Sequence, residues 1–108
     1  MSRLVEILPR ATSQLYESAS WWAENHSVAQ AARWLSGIES AIRALADTAP
    51  RHPLAPESAA FDFPLHQMNF GVSSKSTHRV LFSFDDARVL VFAVRHLSQS
   101  DVSSDDLG

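Results

Sequence analysis

Ser27-Val28-Ala29-Gln30-Ala31-Ala32-Arg33-Trp34-Leu35-Ser36-Gly37-Ile38-Glu39-Ser40-Ala41-Ile42-Arg43-Ala44-Leu45 is the stretch that decides the architecture. Val28, Ala31, Leu35, Ile38, Ala41, Ile42 and Leu45 recur every three or four residues, which lines up one face of an α-helix. Arg33, Glu39 and Arg43 fall on the opposite face and are read as facing water. Ser27 and Gln30 form a Ser-x-x-Gln pattern, in which a cap hydroxyl and the third side chain satisfy each other's orphan amides. The spacing predicts a helix of about five turns whose apolar stripe needs a partner.

That partner stands immediately upstream. Ala11, Leu15, Ala19, Trp22 and Ala23 repeat at helical spacing from Ala11 to about Asn25, with Thr12 or the residue before it as cap. Asn25-His26-Ser27 is too short a break for anything but an antiparallel helical hairpin. Before it, residues 3 to 8 alternate, Leu4 and Glu6 on one side and Val5 and Ile7 on the other, and Pro9 ends the ladder by removing an amide donor. The first element is therefore a short strand.

Downstream, Pro50, Pro53, Pro56 and Pro64 mark residues 47 to 63 as a connecting loop in which helix cannot persist. Leu65 to Phe70, His78 to Phe84 and Val89 to His96 then read as strands, separated by a polar loop (Gly71 to Thr77) and a turn at Asp85-Asp86-Ala87-Arg88. With that turn as a four-residue loop, Phe84 pairs with Val89 and Arg79 lies opposite Val94. Arg79 and His96 are then diagonal neighbours on one face, with His78 and Arg95 on the other. A loop one residue longer or shorter exchanges these partners. The expected fold class is α+β: a strand, a helical hairpin and a three-stranded antiparallel sheet, with the first strand joining the sheet at its edge or centre. Residues 1–108 are expected to form a single domain, with 98–108 a flexible tail that holds a turn near Asp101.

Composition narrows the function. The absence of cysteine removes disulfides and thiolate metal sites, which suits a reducing cytoplasm, the expected location. The longest apolar runs, such as Val89 to Val94, are far short of the roughly 20 residues that cross a bilayer, and the N-terminus lacks a secretory pattern. Nine Lys and Arg against twelve Asp and Glu leave a net charge of −3, so nothing global attracts nucleic acid. His26, His52, His66, His78 and His96 show no ligand spacing, and no metal or cofactor is expected.

Arg79 is either a contact residue or an ordinary solvated strand arginine. His96 is a functional group or a hydrogen-bonded boundary residue, and Arg95 an electrostatic contact or half of a structural pair. Adjacent helical residues point about 100° apart, so Trp22 is expected to enter the core while Trp21 or Trp34 lies at its rim. The exposed indole is a candidate contact. Asp85-Asp86 reads as a turn in which acidic side chains cap local amides, and Gly71 as a loop hinge.

The order of elements resembles the ParE/RelE superfamily of toxins from type II toxin–antitoxin systems, over nearly the whole chain. Ala29-Gln30-Ala31-Ala32-Arg33-Trp34 resembles the start of the family's second helix, and Ala41-Ile42-Arg43-Ala44-Leu45 followed by Pro50 its end. His78-Arg79-Val80-Leu81-Phe82 is similar to the family's aromatic-Arg-aliphatic-aliphatic-Phe strand, with His in the aromatic place. Val94-Arg95-His96, followed by Gln99, resembles the ending common on the ParE-like branch, the plasmid stabilisation proteins.

The resemblance implies a growth-inhibiting toxin and a cognate antitoxin partner whose flexible segment covers and neutralises it, in a hetero-oligomeric complex. ParE-like members are taken to poison DNA gyrase; RelE-like members cut messenger RNA on the ribosome. The RNA chemistry needs one group to take a proton, another to give one, and cations on the pentacovalent phosphate. RelE-like enzymes resemble one another in drawing these from basic residues on the second strand, an Arg on the third and an Arg, His or Tyr after the fourth. Here Arg79 matches the third-strand arginine, the second strand offers only His66, and nothing basic follows His96. The candidate catalytic residues, for a ribonuclease alone, are Arg79 and His96. The candidate target- or antitoxin-binding residues are His66, Lys75, Arg79, Arg95 and Trp21. A ParE-like action needs only a complementary surface, so it is the preferred reading; the ribonuclease and a non-toxic, antitoxin-binding relative are the alternatives.

Overall fold

The computed structural model describes residues 2–98; Met1 and 99–108, and with them most of the expected tail, its turn near Asp101 and Gln99, lie outside the described residues. Strand β1 (Leu4–Ile7) leads into helices α1 (Pro9–Asn25) and α2 (Val28–Thr48), and strands β2 (His66–Phe70), β3 (His78–Phe84) and β4 (Arg88–His96) follow. The expected α+β architecture is present. Proline 9 does more than end the first strand: it occupies the first turn of α1, where its missing amide costs nothing, so the helix begins two residues before the periodic pattern does. Leu8, without a side-chain cap bond, takes the N-cap position expected of Thr12 or its neighbour. At α2, Ser27 caps as its sequence predicts, its Oγ accepting from the Gln30 amide at 3.0 Å.

The sheet runs β1-β4-β3-β2. Strand β1 lies at the edge, parallel to β4, while β4–β3 and β3–β2 are antiparallel. Phe84 pairs with Val89 as expected, and Asp85 builds the turn by accepting from the amides of Ala87 and Arg88 at 2.7 and 2.9 Å. The register then slips. Phe82 pairs with Val91 but Leu81 with Ala93, so Phe92 is an extra residue in β4. This bulge corrects the expected pairing: Arg79 lies opposite Arg95 and His78 opposite His96. One inserted residue moves every later side chain to the other face, so Arg79 and His96 point away from each other.

The two helices pack on one face of the sheet. Trp34, Ile38, Ile42 and Leu45 of α2 and Ala11 and Leu15 of α1 bury against Met68, Val80, Phe82, Val89, Val91 and Val94. Val28, expected in the stripe, is instead 76% exposed at the first turn of α2. The tryptophans sort as expected, with Trp22 packed partly buried against the core and Trp21 the exposed one of the Trp21/Trp34 pair; Trp34 is fully buried. Glycine is demanded at position 71, where a Cβ would lie 2.2 Å from the Lys75 carbonyl oxygen; the polar loop closes on itself there.

The other face is covered differently. The segment from Pro53 to Pro64, here called the strap, crosses it with one short helical turn (Ser58–Ala60). Ala55 and Leu65 bury against Leu81 and Ala93, and Phe61, Phe63 and Phe92 close over them as a second, smaller cluster. The strap is pinned to β2 by backbone bonds from Ala55 N–H to Leu65 O (2.7 Å) and from Gln67 N–H to Pro53 O (2.9 Å). What the proline pattern marks only as a connection is thus a covering layer.

Candidate functional site

Arg79 sits near the start of β3, on the strap side. Its two terminal nitrogens donate to the two carboxylate oxygens of Glu57, both at 2.7 Å, and Nη1 also donates to Gln67 Oε1 at 3.0 Å. Gln67 is held in turn, its amide donating to Asn69 Oδ1 at 2.8 Å. Both charged residues are buried, Arg79 at 5% and Glu57 at 7% exposure. This is a two-pronged, charge-assisted pair, the strongest arrangement open to a guanidinium. Arg79 is therefore not the solvated strand arginine of one reading, and its fork is turned toward the strap.

Arg95 is the cross-strand neighbour of Arg79 on the same face. Like charges directly opposite destabilise a sheet, and a carboxylate delivered to Arg79 from another segment offsets part of that repulsion. Glu57 is the residue that sequence reasoning missed. It is the only carboxylate between Asp47 and Asp62, in a proline-rich run whose other charged residue is Arg51. That isolation is a signal, but the cation it serves is 22 residues downstream and is brought near only by the sheet.

The histidines gather on the helix side. His78 and His96 stand opposite each other with ring centroids 5.1 Å apart, and the His78 ring also packs against Trp34 at 4.9 Å. Burial, reinforced by the neighbouring His96, pushes the His78 imidazole down to about 4. His96 is exposed, and its Nδ1 accepts from the Ser98 amide at 3.1 Å. With Gln14, Glu17, Trp21 and Trp22 of α1 these rings line a cleft of about 550 Å³. Gln14 reaches across to accept from the Val94 amide at 2.8 Å, capping the part of β4 that extends past β1.

The remaining candidates are dispersed. His66 lies at the β2 edge on the helix side, donating from Nδ1 to the His52 carbonyl at 2.9 Å and stacked on Phe82. Burial, and His66 beside it, lower the His52 imidazole. Lys75 is exposed in the β2–β3 loop, and Trp21 is exposed on α1, edge-on to Trp22. Arg79 and Arg95 are thus brought together on one face, His78 and His96 on the other. Arg79 is not brought to either His66 or His96. Among the described residues no group of three or more His, Asp or Glu side chains is placed to hold a metal, and no helix is long and apolar enough to cross a membrane.

Comparison with solved structures shows that the fold is shared. The chain is similar to a chain of the chromosomal ParDE toxin–antitoxin system from P. aeruginosa, with a TM-score of 0.69 at 9% identity over 90% of this chain and 98% of that one. It also aligns with the YoeB dimer from Staphylococcus aureus, with a TM-score of 0.49 at 12% identity over 89% of this chain and 98% of that one. No curated protein matches the sequence. The family profile described as the ParE toxin of the type II toxin–antitoxin system parDE matches residues 5–100. By that match across almost all of its length, and with a fold in agreement, the chain belongs to the ParE toxin family of type II toxin–antitoxin systems.

Proposed function

We propose that this ParE-family toxin arrests growth by binding a cytoplasmic target, DNA gyrase, and that a cognate antitoxin neutralises it by covering its surface. The observation that carries this reading is the commitment of Arg79 to Glu57 on the face opposite His96. Cleavage of RNA needs a cation on the phosphate and a proton-transfer group beside it. Here the cation near the start of β3 already holds a carboxylate, and the histidines lie across the sheet. A net charge of −3 adds no pull on RNA. Inhibition by surface contact asks for none of this: exposed Trp21 lines the α1 cleft, and Tyr16 and Leu97 are further exposed apolar side chains.

The test is tightly controlled expression of the chain in a bacterium, with and without the antitoxin from the neighbouring reading frame. Growth arrest with a DNA-damage response, relieved by the antitoxin, is the expected result. Arrest with codon-periodic messenger cleavage would reverse the reading in favour of a ribonuclease, and undisturbed growth with folded protein present would favour a non-toxic relative.

A further inference from the structure

The strap is chemically unlike a plain connection. It brings one carboxylate to Arg79 and an aromatic pair, Phe61 and Phe63, onto Phe92, with ring centroids of Phe63 and Phe92 5.3 Å apart and nearly stacked. Its apolar contacts form a cluster separate from the main core, which lies wholly on the helix side. A segment with its own small cluster opens at a lower free energy than the domain unfolds. Opening it would leave the helix-side core intact and would bare Arg79, Gln67, Leu81 and Ala93 together.

We infer that the strap is the chain's own occupant of a docking surface, which accepts an acidic, aromatic-bearing segment of a protein partner once the Glu57–Arg79 latch opens. The strap defines the ligand by standing in for it. Arg79 takes a carboxylate in a two-pronged grip, and the apolar floor beside it takes aromatic rings a few residues further along. A nucleic-acid strand fits less well, because the grip is filled by a carboxylate and the chain's net charge is −3. The inference rests on the reading that this toxin works by binding proteins. Its test uses neither gyrase nor growth, so the two fail separately.

The probe is a fluorescently labelled synthetic peptide with the sequence of residues 53–64, followed by anisotropy against the full chain. Glu57→Gln in the chain weakens the latch and raises the open fraction, so the peptide is expected to bind it at least about tenfold more tightly than the wild type. Adding Arg79→Gln should abolish the gain, as should replacing the peptide's own glutamate with glutamine. In the wild type, the amides of Ala55, Ser58 and Phe61 should exchange hydrogen at least about tenfold faster than those of the β3–β4 ladder. Four outcomes overturn the inference: a folded Glu57→Gln chain that gains no peptide binding; a single-stranded RNA of 12 nucleotides captured in place of the peptide; a Glu57→Gln chain that fails to fold; or strap amides that exchange only on global unfolding, the last two making the strap part of the global structure.

Discussion

The two faces of the sheet are held by different physics. On the helix side, large apolar side chains from both helices and all four strands interdigitate, and Gln14 and the histidines are among the polar groups beside them. On the strap side a smaller cluster of alanine, leucine and phenylalanine side chains shares the face with a buried ion pair. Close packing gives the first face its stability, whereas the second is stabilised weakly but selectively, because an ion pair tolerates only a partner of matching charge and geometry. Apolar packing and charge pairing are thereby separated onto opposite sides of one sheet.

The sharpest test of that division is truncation on the helix side. Phe82→Ala removes a fully buried ring and is expected to cost about 3–5 kcal/mol in chemical denaturation. Leu81→Ala, equally buried but beneath the strap, is expected to cost less, about 2–3 kcal/mol, because the strap can settle into the space. Equal losses would show that the faces are one cooperative core.

Glu57→Gln comes next. A buried pair that loses one partner ordinarily costs about 3–5 kcal/mol, since the other charge is stranded. Here the strap can lift and admit water to Arg79, so a loss of about 1–3 kcal/mol is expected from the same denaturation experiment. A loss at the full buried-pair value would deny the strap its independence.

On the helix side the corresponding weak point is His78. Its folded-state pKa lies below its unfolded value of about 6.5, so the unfolded chain binds a proton first as pH falls. The stability contributed by neutral His78 is therefore complete above about 6.5, declines as pH falls from there and levels off below about 4. With allowance for screening near the cleft, the decline should be on the order of 1–2 kcal/mol, and should vanish in His78→Gln. Thermal melts of both chains across that range would measure it. The smallest effect is expected at Trp21, 53% exposed: Trp21→Ala should change stability by less than about 1 kcal/mol while weakening antitoxin binding in calorimetry.

The helix-side face was the legible one. Helical spacing from Ala31 to Leu45 and alternation in the strands report directly which residues share a face, and both follow from backbone geometry alone. Even there, the start of α1 and the exposure of Val28 differ from expectation, because the ends of helices depend on capping rather than on periodicity. The strap-side face was hidden for a different reason. A bulge at Phe92 leaves no mark in an apolar run, yet it decides whether Arg79 stands with His96 or with Arg95. Likewise nothing local to Glu57 tells that it meets Arg79, because that contact exists only after the sheet has formed.

The central claim, that this ParE-family chain acts by binding and not by cutting RNA, is tested most directly with purified components. The wild-type chain and Arg79→Ala would be titrated into a gyrase supercoiling reaction and, in parallel, into translating ribosomes carrying a defined messenger. The account predicts loss of supercoiling with the messenger intact. Messenger cleavage by the wild type that disappears in Arg79→Ala, with supercoiling untouched, would contradict it.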